Sequence, residues 1–438
     1  MVTKLDFTQP DFQKNIDALV HISDDLNSSI NLEVKKIVED VKLRGDIALL
    51  KYTSQFDEFT PKTAAGLKVS KKEIENARKS CSKKAVSALK EAKKRILEYH
   101  RHLFPQGFVF EDDVGVRLGA RWRAISSVGV YVPGGTAAYP SSVLMNAIPA
   151  QIAGVKRLVM TVPATKNNLN PLVLVAADIS GIEEIYRVGG AQAIAALAYG
   201  TESIVSVDKI VGPGNAYVAA AKRYVYGKVG IDLIAGPTEI LVVSDKENDP
   251  TWIAADLLSQ AEHDVQAQSI LICDDLQFAE SVLVKIEELL KNLERSKIAK
   301  VSWDNNGVII VVQDLSSSPD LINKFAPEHV ELAVADPHIL AEKITNAGAI
   351  FLGRYAPEAI GDYIAGPSHV LPTGRSAKFS SGLGVTDFMK RTSLIECDEN
   401  SISEIGSSAK VLATEEGLSA HALSISLRLK TQKPPRPK

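Results

Sequence analysis

Cysteine is nearly absent from this chain. The only three, Cys81, Cys273 and Cys397, lie far apart without a CxxC pair, which excludes a disulfide scaffold and a thiolate zinc site and fits a reducing compartment. No apolar run approaches the roughly 18 residues of a membrane span. The opening MVTKLDFTQPDFQK carries charges throughout and no apolar h-region, which argues against a secretory signal. An excess of one charge is missing too: the formal net charge is -3, with Lys and Arg spread along the chain, so nucleic acid is not an expected partner. These absences predict a cytoplasmic protein that works on neither membrane nor nucleic acid.

The 438 residues suffice for two or three domains around a large core, and 45% hydrophobic residues describe an ordinary globular protein. From 31 to 102 the pattern is helical: Val34, Ile37, Val38 and Val41 fall at i, i+3, i+4 and i+7, and Ile74, Ala77, Cys81, Leu89 and Ile96 continue a similar stripe. On that stripe Cys81 reads as a small core residue. Near Ser127 the cadence changes to short Val- and Ile-rich runs separated by helical stretches: VGVYV, RLVMTV, EIYRV, KIV and IDLI. After AGPTE it repeats with ILVV, SILIC, VIIVV, HVELAV and AIFL. Strand and helix in turn predict an α/β protein of two Rossmann-like doubly wound units of similar rhythm.

The expected organisation is an N-terminal extension over 1–25, a helical region over 26–126 packed on the second unit, a first α/β unit over 127–237, a second over 238–380, and a helical tail over 381–438. The tail's apolar positions, Leu412, Leu418, Leu423 and Leu427, cannot form a core of their own. Another subunit is the expected cover, and the final TQKPPRPK reads as a frayed basic end.

Some loops carry residue types suited to chemistry. Strand 128–132 runs into PGGTAAYPSS, where Gly134 and Gly135 permit a tight turn and a helix N-terminus attracts phosphate, although a plain strand-to-helix turn explains Gly-Gly equally well. GPGN at 212–215 and AGPTE at 235–239 are further Gly-Pro loops, and at the ends of an open sheet the three are expected to surround one crevice. Gln260 and His263 stand three apart at the end of an apolar helical pattern, so they share a face, either as half of a metal site or as polar residues at a helix end. Glu328 and His329 enter a strand side by side. Histidine's ordinary pKa suits general base work, while the alternative is a satisfied strand-edge pair.

The segments GVYVPGG, YPSSVLMNAIPAQIAGV, GGAQAIAALAYGT, VGPGNAYV, DLLSQAEHD, APEHVEL, GDYIAGPSHVLPT and GLSAH resemble those of the histidinol dehydrogenase family, in the same order over roughly 25 to 430. That resemblance implies an aldehyde-dehydrogenase-like arrangement of the two units. It also implies one zinc per active site, held by Gln260, His263, Asp362 and His421, although such donors also accept manganese or cobalt. It implies His329 as base, Glu328 as the acid that activates water, and Tyr131, Gln192 and Asn215 as NAD contacts. Thr238, Glu416 and, nearby, His369 match the substrate pocket, to which the four metal ligands and His329 also belong. Thr238 is commonly serine in the family, and threonine keeps the hydroxyl while adding a methyl. The implied reaction is oxidation of L-histidinol to L-histidine by two NAD through the aldehyde, in a homodimer whose C-terminal parts cross so that Glu416 and His421 complete the neighbour's site. A related dehydrogenase of another small polyol, such as a sulfonated diol, is one rival; a non-catalytic or hydrolytic protein on the same sheets is the other. Neither Cys273 nor Cys397 sits where an aldehyde dehydrogenase would need its nucleophile.

Overall fold

Two open parallel sheets carry the chain, and both run in the same strand order. The computed structural model describes residues 2–20, 28–134 and 139–429. Strands Ser127–Tyr131, Arg157–Thr161, Glu184–Tyr186, Lys209–Val211 and Gly230–Ile231 form a five-stranded sheet in the spatial order third, second, first, fourth, fifth. Strands Glu239–Ser244, Gln268–Cys273, Val308–Val311, His329–Ala333 and Ala349–Leu352 repeat that order, and Thr3–Asp6 pairs beside Val308–Val311 to make a six-stranded sheet. In each sheet the direction of winding reverses between the first and fourth strands. Such reversal points leave a crevice where ligands bind.

Burial on both faces explains why the strands read as unbroken apolar runs. Ile240, Leu241, Val242 and Val243 are all fully buried. Helices start where the sequence supplies a cap followed by proline: the Asp249 side chain accepts from Thr251 N, and Pro250 occupies the first turn of helix Pro250–Ala261. Several expected strands are shorter than predicted, as with EIYRV, which ends at Tyr186. The run at 231–234 leaves the sheet after Ile231, because Asp232 turns inward to bond the neighbouring loop.

The helical region packs mainly on the first unit and touches the second, where it was expected, at one corner: Arg95 Nε donates to the Ile364 carbonyl at 2.6 Å. Val34, Ile37, Val38 and Val41 of helix Ser28–Arg44 meet helices Gly190–Tyr199 and Ala216–Val225, and Leu89, Ala92 and Ile96 of helix Lys83–His102 meet helix Pro140–Ala153. All of these partners belong to the five-stranded sheet, not to the second unit. Residues 191–198 are buried without interruption, so helix Gly190–Tyr199 has no solvent face and needs a second layer of helices outside it. The region also contains strand: Phe108–Glu111 and Arg117–Ala124 join Met389–Glu396 in a three-stranded antiparallel sheet. Thr3–Asp6, within the segment read as an extension, is an edge strand of the six-stranded sheet.

Beyond that small sheet, helices Glu399–Glu415 and Ser419–Leu429 pack on each other, with Gly406 close to Ile425 and Leu429. Val411, Leu412, Leu418, Leu423 and Leu427 remain exposed. Gly135, His21 and the terminal TQKPPRPK lie outside the described residues. Among the described residues, no helix is long and apolar enough to cross a membrane.

Candidate active site

The amino ends of two central strands in the six-stranded sheet bring Thr238, Glu239, Glu328 and His329 together. Glu328 Oε2 accepts from Thr238 Oγ1 at 2.6 Å and from Glu239 N at 3.0 Å. Gln260, on the last turn of helix Pro250–Ala261, donates its amide to the same Thr238 oxygen. A chain of donors therefore runs from Gln260 through Thr238 to Glu328. Burial pushes the Glu328 carboxyl up to about 8, with the bonds from Thr238 and Glu239 pulling it back.

His329 is held in one orientation. Its Nδ1 lies 3.0 Å from the Glu239 carbonyl oxygen, which only accepts, so the neutral ring carries its proton on Nδ1. Nε2 is then bare. It is buried, has no hydrogen-bond partner among the described residues, and lies 3.8 Å from Glu358 Oε1 and 4.0 Å from Asp362 Oδ1.

Glu358 and Asp362 stand four apart on the short helix Glu358–Tyr363, hence on one face. Ligand atoms of His329, Glu358 and Asp362 lie within 4.8 Å of one another. Burial pushes Glu358 up to about 8, and the nearby Asp362 adds to the effect. Glu358 was not predicted; its i, i+4 spacing from Asp362 was the available signal. His369 Nδ1 donates to the Asp362 carbonyl at 2.9 Å, and its Nε2 is 2.9 Å from Ser142 Oγ, which ties helix Pro140–Ala153 to this corner.

Gln260 and His263 sit beside that cluster. Gln260 is 1% exposed, and its Oε1 is buried without a partner. His263 follows it past the helix end; burial pushes its imidazole down, against the opposing pull of Asp362. An orphaned amide oxygen, an imidazole that feels the Asp362 charge, and that carboxylate are donor types a divalent zinc accepts, although the ligand atoms that lie within 4.8 Å of one another are those of His329, Glu358 and Asp362. The residues present fit that ion. His421 and Glu416 are not brought to these residues within the chain, since both lie exposed on the tail hairpin.

The five-stranded sheet contributes its opposite, carboxyl ends. Tyr131 closes its strand, buried, and its hydroxyl accepts from Gly190 N at 3.2 Å while burial pushes its pKa up to about 12. Gln192 is 1% exposed, and neither atom of its amide has a partner among the described residues. Asn215 is exposed and caps helix Ala216–Val225, its Oδ1 accepting from Tyr217 N and Val218 N. Asp57, which was not predicted, reaches this group: its Oδ2 accepts from Gly189 N at 3.4 Å, and burial pushes its carboxyl up to about 6. Of the three Gly-Pro loops expected to surround one crevice, those after Tyr131 and Val211 leave the carboxyl ends of first-sheet strands, whereas 235–239 leads into the amino end of a second-sheet strand. The second sheet presents its amino ends.

Known proteins match this chain along almost its whole length. The family model for histidinol dehydrogenase covers residues 22–429. Histidinol dehydrogenase of Rhodospirillum rubrum is 57% identical over 98% of this chain and 99% of its own, and that of Rhodopseudomonas palustris is 56% identical over the same shares. The crystal structure of histidinol dehydrogenase from Elizabethkingia anophelis superposes with a TM-score of 0.91 at 35% identity, covering 98% of both chains. Identity sustained at that level from end to end leaves one assignment: the chain belongs to the histidinol dehydrogenase family of oxidoreductases.

Proposed function

We propose that this enzyme oxidises L-histidinol to L-histidine through the aldehyde, using two NAD in succession and one zinc, as the closing steps of histidine biosynthesis. One observation carries the reading beyond family membership. His329 is anchored through Nδ1 and offers a buried Nε2 beside the Asp362 carboxylate, and neither this nitrogen nor Gln260 Oε1 has a hydrogen-bond partner among the described residues.

Gln260, His263, Asp362 and, from a second copy, His421 would hold the metal. Zinc, when bound, supplies positive charge that polarises the substrate's oxygen. His329 Nε2 takes the alcohol proton as the first hydride leaves to NAD. Glu328, fixed by Thr238 and Glu239, then draws a proton from the water that adds to the aldehyde. With the first proton released to solvent as NADH is exchanged, the anionic tetrahedral adduct loses the second hydride to another NAD, and His329 takes the remaining hydroxyl proton, giving the carboxylate. No thiol is required: Cys273 is buried, with its pKa raised by burial to about 12. Tyr131, Gln192 and Asn215 are the residues we assign to NAD.

The uncovered tail supports a shared site. A second copy of this chain would bury Leu412, Leu418, Leu423 and Leu427 and deliver Glu416 and His421 to the neighbouring pocket.

The test is NADH production from L-histidinol by zinc-loaded protein, expected at two NADH per molecule consumed. Absence of turnover overturns the reading, and turnover of another polyol in its place assigns the chain to the rival dehydrogenase. For the shared site, His421→Ala and His263→Ala proteins are each expected to be inactive, and mixing them should restore about a quarter of the parent activity through hybrid dimers. No recovery in verified hybrids removes the crossing tail.

A further inference from the structure

Both polar groups of Gly212 end on buried charges. Gly212 N donates to Asp232 Oδ2 at 2.7 Å, and Lys222 Nζ donates to the Gly212 carbonyl at 3.0 Å. Lys222 and Asp232 also pair with each other, their side chains 2% and 1% exposed. They come from separate elements: Lys222 from within helix Ala216–Val225, Asp232 from just beyond strand Gly230–Ile231. An ion pair therefore closes a ring through one residue, and so through the two peptide units that flank its α-carbon, at the end of strand Lys209–Val211.

The clamped residue has no freedom of its own. Gly212 has φ +110°, and a Cβ there would sit 2.0 Å from the Tyr131 carbonyl oxygen, so the turn is pressed against the strand that carries Tyr131. Three residues on, Asn215 caps the helix that carries Lys222. Movement of the Gly212 peptide would shift Tyr131 and Asn215 relative to each other.

Stability alone is a poor explanation for the pair. Stripping water from two charges is costly, and apolar residues of similar size in such places are often as stable or more so. What apolar residues cannot do is hold an N–H and a C=O in place. We propose that Lys222 and Asp232 are positioning residues for dinucleotide binding, locking the turn at 212–215 so that Tyr131 and Asn215 form a prearranged surface. This rests on the reading of Tyr131 and Asn215 as NAD contacts. Neither charged residue touches the cofactor. A released turn must be ordered when NAD binds, and the loss appears as weaker affinity.

Single replacements leave a buried charge unpaired and are expected to unfold the protein. The informative variant is Lys222→Met/Asp232→Leu in the zinc-loaded enzyme. Its expected melting temperature lies within about 5 °C of the parent. KM for NAD should rise about tenfold while kcat at saturating NAD and KM for histidinol change by less than about twofold. Fluorescence titration with NADH should weaken in parallel. The companion Lys222→Met/Asp232→Asn keeps an acceptor for Gly212 N, so it should recover part of the affinity, and it carries the test alone if the leucine variant does not fold. Unchanged KM for NAD in either folded variant overturns the proposal, as does an equal fall in every kinetic constant. Asn215→Ala and Tyr131→Phe in the parent chain separate the two ideas. If they leave NAD binding intact, the cofactor assignment is wrong; if they weaken it and the double variants do not, only the clamp is wrong.

Discussion

The two parallel sheets share a strand order and differ in what they bury. Around the six-stranded sheet acids and a histidine gather: Glu239, Asp256, Glu328, Glu331 and Glu358 all have carboxyls raised chiefly by burial, with His329 among them and buried neutral groups such as Ser244, Asn248 and Gln260 beside them. Around the five-stranded sheet the buried polar groups are neutral, as with Gln192, Asn146 and Thr161, or paired, as with Lys222 and Asp232. Asp57 is the exception. One topology thus carries two different sets of polar groups. Buried acids can attract a cation and exchange protons, whereas neutral amides and fixed peptide groups suit recognition of a large ligand without chemistry on it.

The sharpest way to break the comparison is to remove the proposed base, His329, from the second sheet. His329→Asn keeps a donor for the Glu239 carbonyl but removes the bare nitrogen, and turnover is expected to fall by about 10² to 10⁴. Zinc content, measured by metal analysis, should be unchanged, because His329 is not among the proposed ligands. Turnover near the parent's would place the proton chemistry elsewhere.

A smaller effect is expected at Gln192 in the first sheet. Its amide is buried with both atoms unpartnered, a condition that costs a free protein on the order of 1–3 kcal/mol. Gln192→Leu should therefore raise the melting temperature of the free enzyme while raising KM for NAD about tenfold, with kcat little changed. If stability and NAD affinity both fall, the amide is structural and the first sheet is not the recognition half.

Much of this was legible in the sequence, for physical reasons. Strands buried on both faces must be continuously apolar, so 240–243 and 308–311 announced themselves. Gln260 and His263 were read as sharing a helix face, but the helix ends at Ala261 and His263 stands in the turn beyond it. Other features depend on contacts that no local pattern encodes. Thr3–Asp6 is a four-residue edge strand with one buried side chain, Leu5, too little for a periodic signal. Glu358 acquires its place only because a six-residue helix forms against His329. Asp232 sits in a run that reads as strand, yet it leaves the sheet to clamp Gly212. The stripe on helix Ser28–Arg44 predicted burial, but its partner, read as the second unit, is the first. Glu416 and His421 are exposed in a single chain, so their assignment came from family motifs alone.

The smallest expected effect separates the sheets by pH. Glu328 is pushed by burial from its ordinary 4.5 to about 8, and Asp57 from 3.8 to about 6. A raised carboxyl keeps its proton longer in the folded chain than in the unfolded one, so the folded state binds more protons between the two values. The stability tied to each group is present below its unfolded pKa and is lost as pH rises through its folded pKa. Glutamine or asparagine in its place has no proton to lose. In chelator-treated protein, Glu328→Gln should therefore gain on the parent in melting temperature up to about pH 8, whereas the difference made by Asp57→Asn should be complete by about pH 6 and flat beyond. Restoring zinc should shift the Glu328 window down, because a nearby cation favours the carboxylate, and leave the Asp57 window in place. If zinc moved both windows equally, the halves would be one coupled electrostatic unit; if Glu328→Gln gave a flat difference, its carboxyl would be an ordinary one, and the contrast between the sheets would fail at its central residue.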